Sequence, residues 1–159
     1  MKKFFPWIRG VRMMGNFGQS AAYQAEIDPA KGDCVIFLVT DREISLTHIR
    51  SIIEKLDEGY DFVDTNRKDR WQNEHSWRRR KSRLANTLIA RISGIEIEDR
   101  ESGMKGFSRA ITFRLVLYGD MCRFIPDYIS CFSARIIGIP VDFYPRRYGT
   151  SAYDERWRT

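Results

Sequence analysis

One run of apolar residues stands out along the chain because no polar position interrupts it. Residues 34–39 (Cys-Val-Ile-Phe-Leu-Val) are all apolar, and Asp41 and Glu43 follow directly behind them. Such a run has no two-residue period, which is typical of a strand buried on both faces in the centre of a parallel sheet. We therefore predict a central strand whose carboxyl end presents Asp41 and Glu43.

The patterns on either side of this run predict a βαβ unit. Residues 21–28 predict a helix with Ser20 as its N-cap, and residues 46–56 predict a second helix with one apolar stripe. Residues 60–63 then predict a short strand. Strand, helix and strand with tight joints imply parallel strands and a right-handed crossover.

The second half of the chain predicts further elements of the same domain. Helices are expected over residues 82–93, 110–117 and 123–132, a polar loop over 99–105, and a last strand over 135–143. The chain contains no internal repeat and no low-complexity tract, so residues 1–159 are interpreted as a single domain.

Composition indicates a globular protein, with 43% hydrophobic and 30% charged residues. No apolar run approaches the ~20 residues that span a bilayer. Two histidines, and three cysteines without a C-x-x-C motif, argue against a zinc site or a Ser-His-Asp triad. The net charge of +6 is concentrated in residues 67–83, which contain eight basic residues and two acidic ones. An anionic partner is therefore expected at this segment.

Several short motifs carry a family resemblance through their order and spacing. They are Asn16-Phe17-Gly18-Gln19, residues 55–61 (Lys-Leu-Asp-Glu-Gly-Tyr-Asp), residues 66–70 (Asn-Arg-Lys-Asp-Arg), residues 99–105, residues 123–126 (Arg-Phe-Ile-Pro) and residues 145–151. Together they resemble the inverting family-2 glycosyltransferases. Within that family they are most similar to the polyprenyl-phosphate sugar transferases, the branch of dolichol-phosphate mannose synthase and the bactoprenol glucosyltransferases.

The resemblance implies both a fold and a reaction. The implied fold is α/β, a partial nucleotide-diphospho-sugar transferase (GT-A-like) fold with a mostly parallel sheet flanked by helices. The implied reaction moves a sugar from a nucleotide diphosphate sugar to a polyprenyl phosphate, undecaprenyl or dolichyl, with a divalent cation, Mg²⁺ or Mn²⁺. The implied place is cytoplasmic, peripheral on the inner face of the membrane, so a membrane surface is an expected partner.

Site residues follow from the motifs. The resemblance implies that Asp41 and Glu43 hold the metal and that Asp99 is the catalytic carboxylate. It also implies a set of phosphate-binding residues, namely Arg67, Arg78, Ser82, Arg146 and Arg147. On a helix, the four-residue spacing between Arg78 and Ser82 places both side chains on one face.

The sequence departs from the family pattern at two levels. The first aspartate of the metal motif falls on Val39, whose side chain has no atom to bind a cation. The strands that hold the nucleotide in the family precede the matched part, so residues 1–159 are expected to be the C-terminal portion of a catalytic domain. A homo-oligomer or a separate N-terminal half is therefore an expected partner.

Two other hypotheses stay open at this point. One is an inactive relic or half-enzyme that keeps only the phosphate or membrane contact, which Val39 favours. The other is a nucleic-acid-binding module that uses residues 67–83, with Trp71 and Trp77 as stacking platforms. No nucleic-acid-binding signature accompanies that segment, so nucleic acid is not an expected partner.

Overall fold

The computed structural model describes residues 5–39, 43–67, 102–142 and 144. Four strands form one sheet in the order β1-β3-β2-β4. Their bounds are Cys34–Leu38 (β1), Phe62–Arg67 (β2), Met104–Ser108 (β3) and Ile136–Val141 (β4). β3 pairs antiparallel with both β1 and β2, whereas β2 and β4 are parallel. Three strands thus share one direction, and their carboxyl ends meet at the edge where β3 begins.

Helices cover both faces of the sheet. Their bounds are Gln19–Ile27 (α1), His48–Asp57 (α2), Arg109–Thr112 (α3) and Ile125–Ser130 (α4), and a 3₁₀ turn spans Met121–Arg123. α1, α3 and α4 pack on one face around Phe37, Phe62 and Phe107. α2 packs on the other face, where Ile52 meets Val63. The expected α/β class with flanking helices is confirmed.

The apolar run forms strand β1 as predicted, but its predicted central place is wrong within the described sheet. β1 is one of the two outer strands of this sheet, and its paired neighbour there is β3. The patterns of the sequence did not predict β3, because Lys105 and Gly106 give residues 104–108 the composition of a loop. Since β3 lies between β1 and β2, the two outer strands of the βαβ unit share a direction without touching.

The helix predicted over residues 110–117 is also mostly absent. α3 ends at Thr112, and residues 115–118 carry no helix and alternate between buried and exposed. The apolar residues of this segment fit a period of two as well as a helical period, and packing against the core decides between them. The segment therefore lies as an extended cover over the α1 side of the sheet.

A buried ion pair fixes the register of β3. Asp64 and Lys105 are directly opposite each other, and Lys105 Nζ donates to Asp64 Oδ1 at 2.6 Å. Both side chains are almost completely buried. A slip of one residue would turn Lys105 to the opposite face of the sheet, away from Asp64.

The next residue of β3 is constrained from the other side. A Cβ atom on Gly106 would lie 2.2 Å from Ile52 Cγ2, so α2 packs directly against the backbone of β3. The residue of β3 that faces α2 at this point must be a glycine, because no side chain fits between the strand and the helix. The glycine and the ion pair thus select the same register.

We predict that Gly106→Ala lowers the free energy of unfolding by roughly 1–3 kcal/mol through overpacking. Urea unfolding measures the loss, and Gly10→Ala is the control, since nothing lies within 4 Å of a Cβ there. In an Ile52→Ala background the same glycine substitution should cost much less. An equal cost in both backgrounds would show that overlap with Ile52 does not cause the loss of stability.

We predict that Lys105→Met lowers the free energy of unfolding by roughly 3–5 kcal/mol, because it removes a cation from a buried carboxylate. The double variant Asp64→Leu/Lys105→Met should be more stable than Lys105→Met alone. The matched control is Arg50→Met at the exposed Arg50–Glu54 pair, where the loss should stay within about 1 kcal/mol. Similar losses at both pairs would refute the proposed role of burial.

Candidate functional site

The carboxyl ends of β1, β2 and β4 bring charged residues together at one edge of the sheet, here called the carboxyl edge. β2 ends in Arg67, and the chain leaving β1 carries Glu43. Arg67 Nη1 lies 3.7 Å from Glu43 Oε2, and the two side chains are only 10% and 18% exposed. The pair holds a guanidinium, a group that binds phosphate oxygens through two parallel hydrogen bonds, at an edge where α/β sheets bind ligands.

Backbone contacts tie the end of β4 to the same place. Tyr144 N donates to Glu43 O at 2.8 Å. Asp142 N donates to His48 Nε2 at 3.3 Å, and the Asp142 carboxylate lies 3.9 Å from the same nitrogen. The segment between β1 and α2 is thus attached to the chain that follows β4.

Hydroxyl groups fix the start of β3 at this edge. Thr65 Oγ1 donates to Met104 O at 2.7 Å, and the buried Ser102 hydroxyl hydrogen-bonds to Thr65 Oγ1. On the other side, Val39 N donates to Gly103 O at 2.8 Å. Ser102 is the third residue after Asp99, so the chain returns to the carboxyl edge immediately behind that carboxylate.

The structure brings together two of the predicted site residues, Glu43 and Arg67. The other predicted site residues lie outside the described ranges, and their roles stay predictions: Asp41, Arg78, Ser82, Asp99, Arg146 and Arg147. Arg146 follows the described Tyr144 by two positions in the sequence. The helix predicted over residues 82–93 also lies outside the described part.

Two parts of the chain about a hundred residues apart meet at the first turn of α1, where the motif of residues 16–19 ends. Cys122 N donates to Ser20 Oγ at 3.0 Å, and Cys122 Sγ lies 3.7 Å from Gln19 Oε1. The predicted role of Ser20 as N-cap is wrong, because Gly18 precedes the helix and Ser20 is buried inside its first turn. Its hydroxyl joins α1 to the 3₁₀ turn instead.

Several polar residues of this region could not be identified from sequence patterns, namely Asp64, Thr65, Ser102 and Lys105. The signal in the sequence was that residues 64–66 (Asp-Thr-Asn) follow the apolar Phe62 and Val63 without interruption. Their polar character suggests the end of a strand, but they lie in the second half of β2. Among the described residues, no three His, Cys, Asp or Glu side chains cluster as a metal site would require. Within those same ranges, no helix has the length and apolar character needed to cross a bilayer.

Comparison with known proteins adds relatives of known chemistry. The undecaprenyl-phosphate 4-deoxy-4-formamido-L-arabinose transferase of Edwardsiella ictaluri is 36% identical over 147 residues, which is 92% of this chain and 44% of that protein. The enzyme of the same name from Aeromonas hydrophila is 32% identical over 145 residues. The chain thus spans less than half the length of these relatives, which belong to the branch that the motifs indicated.

Solved structures show the same fold. Glucosyl-3-phosphoglycerate synthase from Mycobacterium tuberculosis, in complex with Mn²⁺ and uridine-diphosphate-glucose, superposes with a TM-score of 0.60 at 19% identity. Its complex with Mg²⁺ and uridine diphosphate gives 0.59 at 18% identity. In both cases the match covers 98% of this chain and 53% of the other. The expected partial GT-A-like fold is therefore confirmed.

A family model provides the remaining evidence. The model described as "Glycosyl transferase family 2" matches residues 1–114, which is well over half of the sequence. This match agrees with the order of the motifs, with the fold and with the named relatives. The chain belongs to glycosyl transferase family 2.

Proposed function

We propose that the chain carries part of the site at which a sugar passes from a nucleotide diphosphate sugar to undecaprenyl phosphate or a similar polyprenyl phosphate. The observation that supports this most directly is the Arg67–Glu43 pair at the carboxyl edge. Arg67 is a nearly buried cation that Glu43 holds in position. The relatives of this chain are named as undecaprenyl-phosphate sugar transferases. We propose that this activity takes place at a membrane surface, because a lipid acceptor is held by the bilayer, and on the cytoplasmic side of that membrane.

The phosphate groups of both substrates need cations, and Arg67 is such a cation at the carboxyl edge. The segment of residues 68–101 follows Arg67 and precedes Ser102, and both of these ends lie at the carboxyl edge. That segment carries Arg78, Ser82 and Asp99. We assign Arg67, Arg78, Ser82, Arg146 and Arg147 to phosphate binding, since each is an arginine or a hydroxyl suited to phosphate oxygens.

Asp99 is proposed as the carboxylate that acts beside the anomeric carbon or the acceptor. The buried contact between Thr65 and Ser102 holds the chain three residues behind it. A catalytic group on a segment anchored by buried hydrogen bonds has less freedom to leave its working position. Thr65 is thus a positioning residue in this proposal.

A divalent cation, Mg²⁺ or Mn²⁺, is proposed at Asp41 and Glu43. Carboxylate oxygens are the hard ligands that both ions prefer, so this donor set fits, although Val39 contributes no side-chain ligand. When bound, such an ion neutralises the charge that develops on the diphosphate leaving group. Glu43 also faces Arg67, so it would hold the cation and the phosphate-binding guanidinium side by side.

The solved neighbours extend well beyond the part that matches this chain. The solved neighbours are about twice as long, and the match covers 53% of their length. In the described sheet, β1 is an outer strand, and an outer strand can accept another through its free backbone groups. We propose that the rest of the fold joins along β1, from the same polypeptide, a separate N-terminal half or a second copy.

We predict that uridine diphosphate binds the chain in the presence of Mn²⁺ and that Asp41→Ala weakens binding at least about tenfold, which is 1.4 kcal/mol. Isothermal titration calorimetry measures the affinity. Glu26→Ala, which removes an exposed carboxylate from α1, is the control and should leave it unchanged. A folded chain that binds no nucleotide would instead support the inactive relic.

We predict that Arg67→Ala weakens Mn²⁺-dependent binding of uridine diphosphate about tenfold, because hydrogen bonds to charged groups contribute ~1.5–3 kcal/mol. The control is Arg50→Ala, since Arg50 also pairs with a glutamate but lies exposed on α2. An equal effect of the two variants would show a general effect of charge and would remove Arg67 from the site.

A further inference from the structure

The extended segment after α3 carries apolar side chains on both of its faces. Leu115 and Leu117 are 1% and 4% exposed and belong to the core. Val116 and Tyr118, which alternate with them, are 57% and 70% exposed. An extended segment with one face in water normally has polar residues on that face. The outward face of this segment is apolar instead.

Two further exposed aromatic residues lie on either side of this segment in the chain. Phe113 precedes the segment, and Phe124 follows it. Met121 N donates to Tyr118 O at 3.1 Å and Phe124 N donates to Met121 O at 2.9 Å, so two successive turns keep Phe124 near Tyr118. We call Phe113, Val116, Tyr118 and Phe124 the aromatic flank. Four exposed apolar side chains within twelve residues suggest a contact surface for a protein or a membrane, whereas single exposed apolar residues do not.

The charges around the aromatic flank favour an anionic surface. Residues 109–124 contain three arginines and one aspartate. The Arg109 guanidinium lies 4.2 Å from the centre of the Phe113 ring, and Arg114 is exposed. Aromatic side chains interspersed with arginines are typical of segments that rest at the headgroup level of an anionic bilayer. A protein interface, by contrast, would need no excess of positive charge.

The orientation of the flank agrees with such a contact. Arg109 N donates to Asp33 O at 2.9 Å beside the amino end of β1, and Cys122 N reaches Ser20 at the first turn of α1. Between them, Leu117 N donates to Gln24 Oε1 at 2.8 Å. Residues 109–122 therefore run along α1 from its last turn to its first. Since α1 leads back to the amino end of β1, its first turn lies towards the carboxyl edge.

We propose that the aromatic flank is the surface with which this protein rests on an anionic phospholipid bilayer. The side chains of Val116, Tyr118 and their neighbours enter the boundary between headgroups and acyl chains, and the exposed Arg114 pairs with a lipid phosphate. Only the biological reason for this membrane contact rests on the proposed function, and the contact itself does not. A polyprenyl phosphate is held by the bilayer, and its phosphate must reach the carboxyl edge from that side.

Co-sedimentation of the whole chain with vesicles tests this surface without any nucleotide or activity. The vesicles are phosphatidylcholine with one quarter phosphatidylglycerol, compared with pure phosphatidylcholine. We expect binding to the anionic vesicles, reduced at least about tenfold by Val116→Ser/Tyr118→Ser, which removes two apolar side chains. Arg114→Gln, a single exposed substitution, should reduce binding about fivefold.

The matched control is Leu46→Ser/Ile53→Ser, which removes two exposed apolar side chains on the α2 side and should leave binding unchanged. Circular dichroism verifies that each variant is folded. The proposal is wrong if the wild-type chain does not sediment with anionic vesicles, or if the flank and control variants bind equally. A dimer in light scattering that Val116→Ser/Tyr118→Ser dissociates, without vesicle binding, would replace the bilayer with a second copy.

Discussion

The sheet depends on the placement of β3 between two strands that run the other way. Asp64 and Lys105 share one face and form a fully buried ion pair, while Gly106 faces α2 on the other. The ion pair stabilises only one register of β3. Any other register would leave a buried charge without its counter-ion, which is strongly unfavourable. The glycine excludes a side chain at the place where α2 needs contact with the backbone. Two independent constraints therefore specify the same alignment, and the faces of all neighbouring strands follow from it.

That alignment also assembles the functional edge. Because β3 is antiparallel, its first residues lie beside the last residues of β1 and β2, where Val39 and Thr65 hydrogen-bond to residues 102–104. The chain between Arg67 and Ser102 thus departs from and returns to the carboxyl edge, and it contains most of the positive charge that the sequence concentrates in one segment. The Arg67–Glu43 pair lies at the end of β2, where this segment begins. The carboxyl ends of the strands are where α/β enzymes bind their ligands.

The described surface has a second organised region on the α1 side. Leu115 and Leu117 cover the core, and Val116 and Tyr118, which alternate with them, point outwards as part of the aromatic flank. One short segment can do both because an extended chain alternates its side chains between two faces. The first turn of α1, where Ser20 and Gln19 meet Cys122, joins this region to the side of the carboxyl edge. A lipid acceptor would bring both regions into use at once.

The sequence by itself determined the family, the α/β class, strand β1, most of helix α2 and the presence of an arginine at the end of β2, since these follow from local patterns and motif order. It did not determine β3 or the extended path of residues 115–118. Residues 104–108 contain a lysine and a glycine that are unfavourable in an isolated buried strand, and only the partner Asp64 and the contact with Ile52 make them favourable. The meeting of Glu43 with Arg67, and of Ser20 with Cys122, likewise joins distant residues. Such pairs are decided by tertiary packing, because no local pattern encodes which distant polar group will be buried beside another.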